Sequence, residues 1–92
     1  TKVVDIVNEL RQYNVRVDVC DPWVDPAEAV HEYGIALTTQ PEAGAYDGIV
    51  VAVAHHQFKA LGAEGLRAFG KPDHVLYDLK YVLPASASDL RL

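Results

Sequence analysis

Apolar residues recur along this chain with two alternating periods, and that alternation predicts the fold. Val3, Ile6, Val7, Leu10 and Tyr13 fall on one face of a helix. Thr1 is placed to cap that helix, and Asn14 to close it in a left-handed turn. Val15, Val17 and Val19 then alternate with Arg16, Asp18 and Cys20, which reads as a strand with one wetter face. Asp21-Pro22-Trp23 breaks it. Asp25, Pro26 and Glu28 form a helix start, with Asp as the cap, Pro in the first turn and Glu three residues after the cap. That helix is expected to run to Tyr33 and stop at Gly34. A short strand follows at 35–38, then a turn at 41–46.

Residues 48–53 are apolar without alternation, the pattern of a strand buried on both faces. Two short helices are expected at 55–61 and 64–69, broken at Gly62 and ended by Gly70. The last strand covers 74–79, where an apolar run stops abruptly at Asp78 and Lys80 follows. Ser86 and Ser88 fall in a polar tail. Helices and apolar strands therefore alternate throughout. That order predicts an α/β domain: a Rossmann-like, three-layer parallel sheet with helices on both faces. A doubly wound unit normally opens with a strand, so the first strand is expected to lie upstream of Thr1. Its loss would leave unpaired backbone groups that self-association or an additional strand must satisfy.

In such sheets ligands bind at the carboxyl ends of the strands. Three strand ends are expected to converge there, carrying Asp21-Pro22-Trp23, Ala54-His55-His56 and Asp78-Leu79-Lys80. Lys80 stands out because the chain as a whole is acidic. With 13 acidic and 8 basic residues the net charge is -5. This balance argues against nonspecific binding to nucleic acid or to an anionic membrane, since both require a basic face. No apolar run is long enough to span a bilayer.

Ninety-two residues, half of them apolar, suit one globular domain covering 1–92. The chain contains no Met and opens directly on a helical pattern, which suggests a fragment of a longer protein. Its single cysteine, Cys20, excludes an internal disulfide and fits a reducing cytoplasm.

Little in the chain suggests chemistry of its own. There is no GxGxxG or GxxxxGK[ST] phosphate loop and no Ser/His/Asp set in recognisable context. His55 and His56 are adjacent, so they point in different directions, and no partner stands at metal-ligand spacing; turn or cap residues is the simpler reading. Cys20 lies beside Asp21, which disfavours a thiolate nucleophile and leaves a packing role. Trp23 is either a lid or interface anchor, or a cover for the second helix. Asp78 and Lys80 start on the same side of a strand end. They make either a local ion pair or a cation aimed at an anionic ligand.

Four strings, in order and with the expected spacing, resemble the C-terminal UDP-binding domain of the UDP-glucose/GDP-mannose dehydrogenase family. They are Thr1-Lys-Val-Val-Asp-Ile, Val17-Asp-Val-Cys-Asp-Pro-Trp23, Tyr46-Asp-Gly-Ile-Val-Val-Ala-Val-Ala-His-His-Gln-Phe58 and Tyr77-Asp-Leu-Lys-Tyr-Val-Leu83. The resemblance covers essentially the whole chain. The Asp-Pro-Trp and Ala-Val-Ala-His strings look most like the UDP-N-acetylhexosamine 6-dehydrogenases of polysaccharide biosynthesis.

This resemblance implies an oxidoreductase that converts the C6 alcohol of a UDP-sugar to a carboxylate with NAD. NAD and the reacting cysteine would be held by other domains of a self-associating enzyme. Cys20 therefore has no catalytic role, and the fragment is expected to be inactive alone. A basic residue on the last strand of the family domain reaches the ligand. Some relatives have Gly followed by a basic pair, whereas this chain has Leu79, Lys80 and Tyr81, so both Lys80 and Tyr81 are contact candidates. Trp23 and His55 are further substrate-binding candidates. No catalytic, NAD-binding or metal residues are expected within the chain. The rival class is a non-catalytic, flavodoxin-like module that binds a protein partner through an exposed sheet edge.

Overall fold

A computed structural model describes residues 2–91. The chain divides into two compact units, residues 1–41 and 42–92. In the first, helix α1 spans Lys2–Gln12. Its expected cap, Thr1, lies outside the described residues. Asn14 adopts φ 62 and closes the helix as its sequence position predicts. The Val15 N–H reaches back to the Leu10 carbonyl at 3.3 Å and the Asn14 N–H to Arg11 at 3.0 Å, a Schellman closure. Val7 is buried, with Val3, Ile6 and Leu10 half-buried beside it, but Tyr13 is 74% exposed and departs from the expected apolar face.

Asp25 caps α2 (Pro26–Glu28) by accepting the Ala27 N–H at 2.9 Å. The helix continues as a wider π turn over Ala29–Tyr33 and ends at Gly34, whose φ of 67 only glycine adopts cheaply. The two strands expected at 15–20 and 35–38 reduce to one parallel bridge, Val19 to Leu37. Val15, 44% exposed, packs on no sheet that would reward its alternation.

The second unit holds a three-stranded parallel sheet in the order β1-β2-β3. Strand β1 spans Tyr46–Val51, α3 spans His56–Arg67 and β2 spans Gly70–Asp78. A 3-10 turn, Ala85–Ala87, leads to the two-residue β3, Leu90–Arg91. The expected break at Gly62 is present as a non-helical residue, φ 67 and ψ -179, inside α3. Val51, Leu66, Leu76 and Leu83 form the core. Burial of β1 on both faces is not observed: Val51 is buried, but Val50 is 45% exposed.

Strand β3, not expected from the sequence, is held by a clasp on Asp89. Arg67 donates to both Asp89 oxygens at 3.0 Å and to the Ala87 carbonyl at 3.1 Å. Asp89 accepts the Leu76 N–H at 2.8 Å, while its own N–H donates to the Leu76 carbonyl. His74 completes the clasp. Its Nδ1 donates to the Lys71 carbonyl, so Nε2 is the acceptor facing Arg67 Nη1 at 3.1 Å. A side chain at Gly70 would overlap the His74 ring, which explains glycine there.

The Arg67 hydrogen bonds, joined by the Leu76 N–H, hold the Asp89 carboxyl below the usual carboxylate range. A depressed value in the folded state contributes stability that is full above the unfolded value, about 4, and disappears as pH falls through the folded one. Asp89→Asn is therefore expected to lower the unfolding midpoint at neutral pH, and this deficit should shrink towards pH 3. Thermal melts of the two proteins across that range check the trend; a deficit that persists unchanged at pH 3 contradicts it.

Candidate functional site at the carboxyl edge of the sheet

Parallel pairing brings the ends of β1, β2 and β3 to one edge. Val51 pairs with Asp78, and Asp78 pairs with Arg91. Beyond these residues the chain leaves β1 towards His55 and leaves β2 into the turn at Leu79 and Lys80.

Asp78 builds that turn. Its side chain is fully buried. Oδ1 accepts the N–H groups of Lys80 and Val82 at 3.3 and 3.1 Å, and Oδ2 accepts that of Leu83 at 2.9 Å. Burial opposes ionisation of this carboxyl most strongly. The Leu83, Val82 and Lys80 N–H groups and the positive charge of Arg91 together outweigh it and hold the group below its usual range. The ion-pair reading of Asp78 and Lys80 is thereby replaced. The carboxylate is spent on backbone donors, and among the described residues the exposed Lys80 ammonium has no ion-pair partner. This is the arrangement of a cation presented outward from an ordered loop.

Tyr81 follows with φ 54, in the left-handed region that a bulky side chain rarely enters. Its ring is 57% exposed, and the Arg91 guanidinium lies 4.0 Å from the ring centroid. His55 occupies the N-cap position of α3 without a side-chain capping bond, and its ring packs against Phe58 at 5.6 Å. Three of the four sequence candidates, His55, Lys80 and Tyr81, thus stand on the β1–β2 carboxyl side of the second unit. Trp23 belongs to the first unit, 62% exposed, where Asp21 Oδ1 accepts its backbone N–H at 2.9 Å.

Arg91 was missed from the sequence. The signal that carries it, Asp89-Leu90-Arg91, is too short to show a strand period. Cys20 is also not the packed residue expected. It is exposed, with its thiol pushed up by partial burial first and by the Asp21 carboxylate second. Such a thiol is a poor nucleophile. Among the described residues no group of three or more His, Cys, Asp or Glu gathers at a metal-binding distance. No helix of the described residues is long and apolar enough to cross a membrane.

Comparison with known proteins adds an independent line. Residues 1–85 match the model of the UDP-glucose/GDP-mannose dehydrogenase family, UDP binding domain. The chain is 62% identical over all 92 residues to a UDP-N-acetyl-D-glucosamine 6-dehydrogenase of Pseudomonas aeruginosa. It is 54% identical over the same length to one of Salmonella typhi. It spans 22% of the length of each of these curated relatives. No solved structure matches.

Proposed function

Because this chain belongs to the UDP-glucose/GDP-mannose dehydrogenase family, as its UDP binding domain, we propose that it grips the UDP end of a UDP-sugar while other parts of the protein oxidise the sugar. The observation that carries this reading is the Asp78-ordered turn, which presents Lys80 with no carboxylate partner among the described residues. A phosphate oxygen is the natural counter-charge for a cation so placed. Tyr81, His55 and Trp23 are proposed as further substrate contacts. The two matched relatives point to UDP-N-acetylglucosamine as the sugar nucleotide. The reaction would take its C6 alcohol to a carboxylate, as a supply of acidic sugar for polysaccharide synthesis.

NAD does not fit this chain. The connection from β1 to α3, residues 52–55, contains no glycine and so offers no tight turn for a dinucleotide pyrophosphate. The cofactor is assigned to another domain, and the contribution of residues 1–92 is positional. Holding the nucleotide end keeps the sugar in place for the oxidising part of the protein, through a contact made equally before and during the reaction.

The test is turnover by the full-length protein with UDP-N-acetylglucosamine and NAD. The expected result is two NADH per sugar nucleotide consumed. Turnover of UDP-glucose alone would shift the substrate assignment, and turnover of neither would overturn the reading.

A further inference from the structure

We propose that Arg91 is a second anion-binding residue of the same edge, and that Tyr81 is the platform that holds its guanidinium ready. The inference rests on the reading of this edge as a diphosphate site and deepens it. Three observations carry it.

The first is placement. Register pairs Arg91 with Asp78, the residue that organises the Lys80 turn, so β3 delivers a guanidinium beside the turn that presents the ammonium. Among the described residues neither cation is ion-paired to a carboxylate. A diphosphate offers two anionic centres a few ångströms apart, and two neighbouring cations, one a point charge and one a planar fork, suit it better than either alone.

The second is strain. Glycine occupies φ near 60 without penalty, yet position 81 carries a tyrosine at φ 54. Strain of this kind collects where a side chain serves a site. The ring gains little from packing, being 57% exposed, and it has Arg91 over its face at 4.0 Å. Stacking restricts the long Arg91 side chain before any ligand arrives, so less freedom is lost on binding.

The third is anchoring. The two-residue β3 is too short to hold itself by ladder bonds. Asp89, two positions before Arg91, ties it to Arg67 and to the Leu76 N–H. An extensive clasp on so short a strand is explained if the residue it positions has a task.

The experiment is calorimetric titration of the full-length protein with UDP and with uridine, alongside melting temperatures. Arg91→Ala is expected to weaken UDP about 10- to 100-fold, the range of one charge-assisted hydrogen bond, and to leave uridine unchanged. Arg91→Lys should recover part of the loss. Tyr81→Gly removes the strain with the ring, so its melting temperature should hold or rise while UDP weakens. Where Tyr81 acts through Arg91 alone, the double variant binds no more weakly than Arg91→Ala; a further loss in the double variant would assign the ring a direct contact with the ligand.

Lys80→Ala distinguishes the two levels of the claim. If Lys80→Ala weakens UDP and Arg91→Ala stays within twofold of wild type, the edge is the site and Arg91 is only a structural stack. If neither weakens UDP, the site assignment itself fails, and this inference with it. A Tyr81→Gly protein that is more stable and binds UDP unchanged would overturn the platform role.

Discussion

Replacing Asp78 by Ala is expected to destabilise residues 42–92 by about 3 kcal/mol, more than any other single polar change there. The carboxylate is fully buried and accepts three backbone N–H groups. Alanine leaves those donors without a partner, and the buried Leu83 N–H bears the full desolvation penalty. It also truncates a fully buried side chain, which leaves a void. Asp78→Asn is the more informative variant. Whichever way the amide turns, its NH2 group faces an N–H donor, either that of Leu83 or those of Lys80 and Val82. Asparagine should therefore lose most of the stability despite its shape.

Hydrogen exchange of the β1 and β2 amides in the full-length protein reads the effect directly. The expected result is a loss of protection of about 100-fold for Asp78→Ala. Protection unchanged within threefold in both variants would show that the turn holds without the carboxylate. The same group makes the unit acid-sensitive. Its folded-state value lies below the ordinary one, so its contribution is complete above about pH 4 and is lost as pH falls through the depressed value.

The second large effect is on ligand use. Lys80→Ala in the full-length protein is expected to lower kcat/KM for the UDP-sugar by about 10- to 100-fold, since one contact to a charged group is worth about 1.5–3 kcal/mol. In the proposed reaction the phosphates carry the same charge before and during oxidation at C6. The lost contact is thus uniform binding, and the fall should appear mainly in KM. Lys80→Arg should recover a part of it, limited by the different reach of the guanidinium.

Lys71 provides the control. It sits near the amino end of β2 and pairs with Asp47 at 3.2 Å, both side chains exposed. Lys71→Ala should leave KM within twofold. A fall in kcat at constant KM for Lys80→Ala would instead place its role in the chemical step, against the positional role assigned to it.

The elements that the chain announces are those encoded locally. Asn14, Asp25-Pro26, Gly34 and Gly62 each fix a helix boundary through their own backbone preferences, and each acts where its sequence position predicts. The parallel pairing of β1 and β2 follows from two apolar runs separated by a helix. What the sequence hides is non-local. Strands at 15–20 and 35–38 have the right composition, but only Val19 and Leu37 pair. Leu90 and Arg91 lack any strand signature, and they become a strand because Asp89, Arg67 and Leu76 meet across the fold. The site shows the same division. Lys80 is conspicuous as a cation at a strand end in an acidic chain. The role of Asp78 is not, because its partners are backbone N–H groups that no sequence pattern displays.

The central claim is that this edge, through Lys80, holds the diphosphate of a nucleotide sugar. Its most direct test is the affinity of the full-length protein for UDP and for uridine, measured for wild type, Lys80→Ala and Lys71→Ala. The predicted result is that Lys80→Ala binds UDP at least about 10-fold more weakly, binds uridine as wild type does, and stands apart from an unaffected Lys71→Ala. Equal UDP affinity in wild type and Lys80→Ala would contradict the claim.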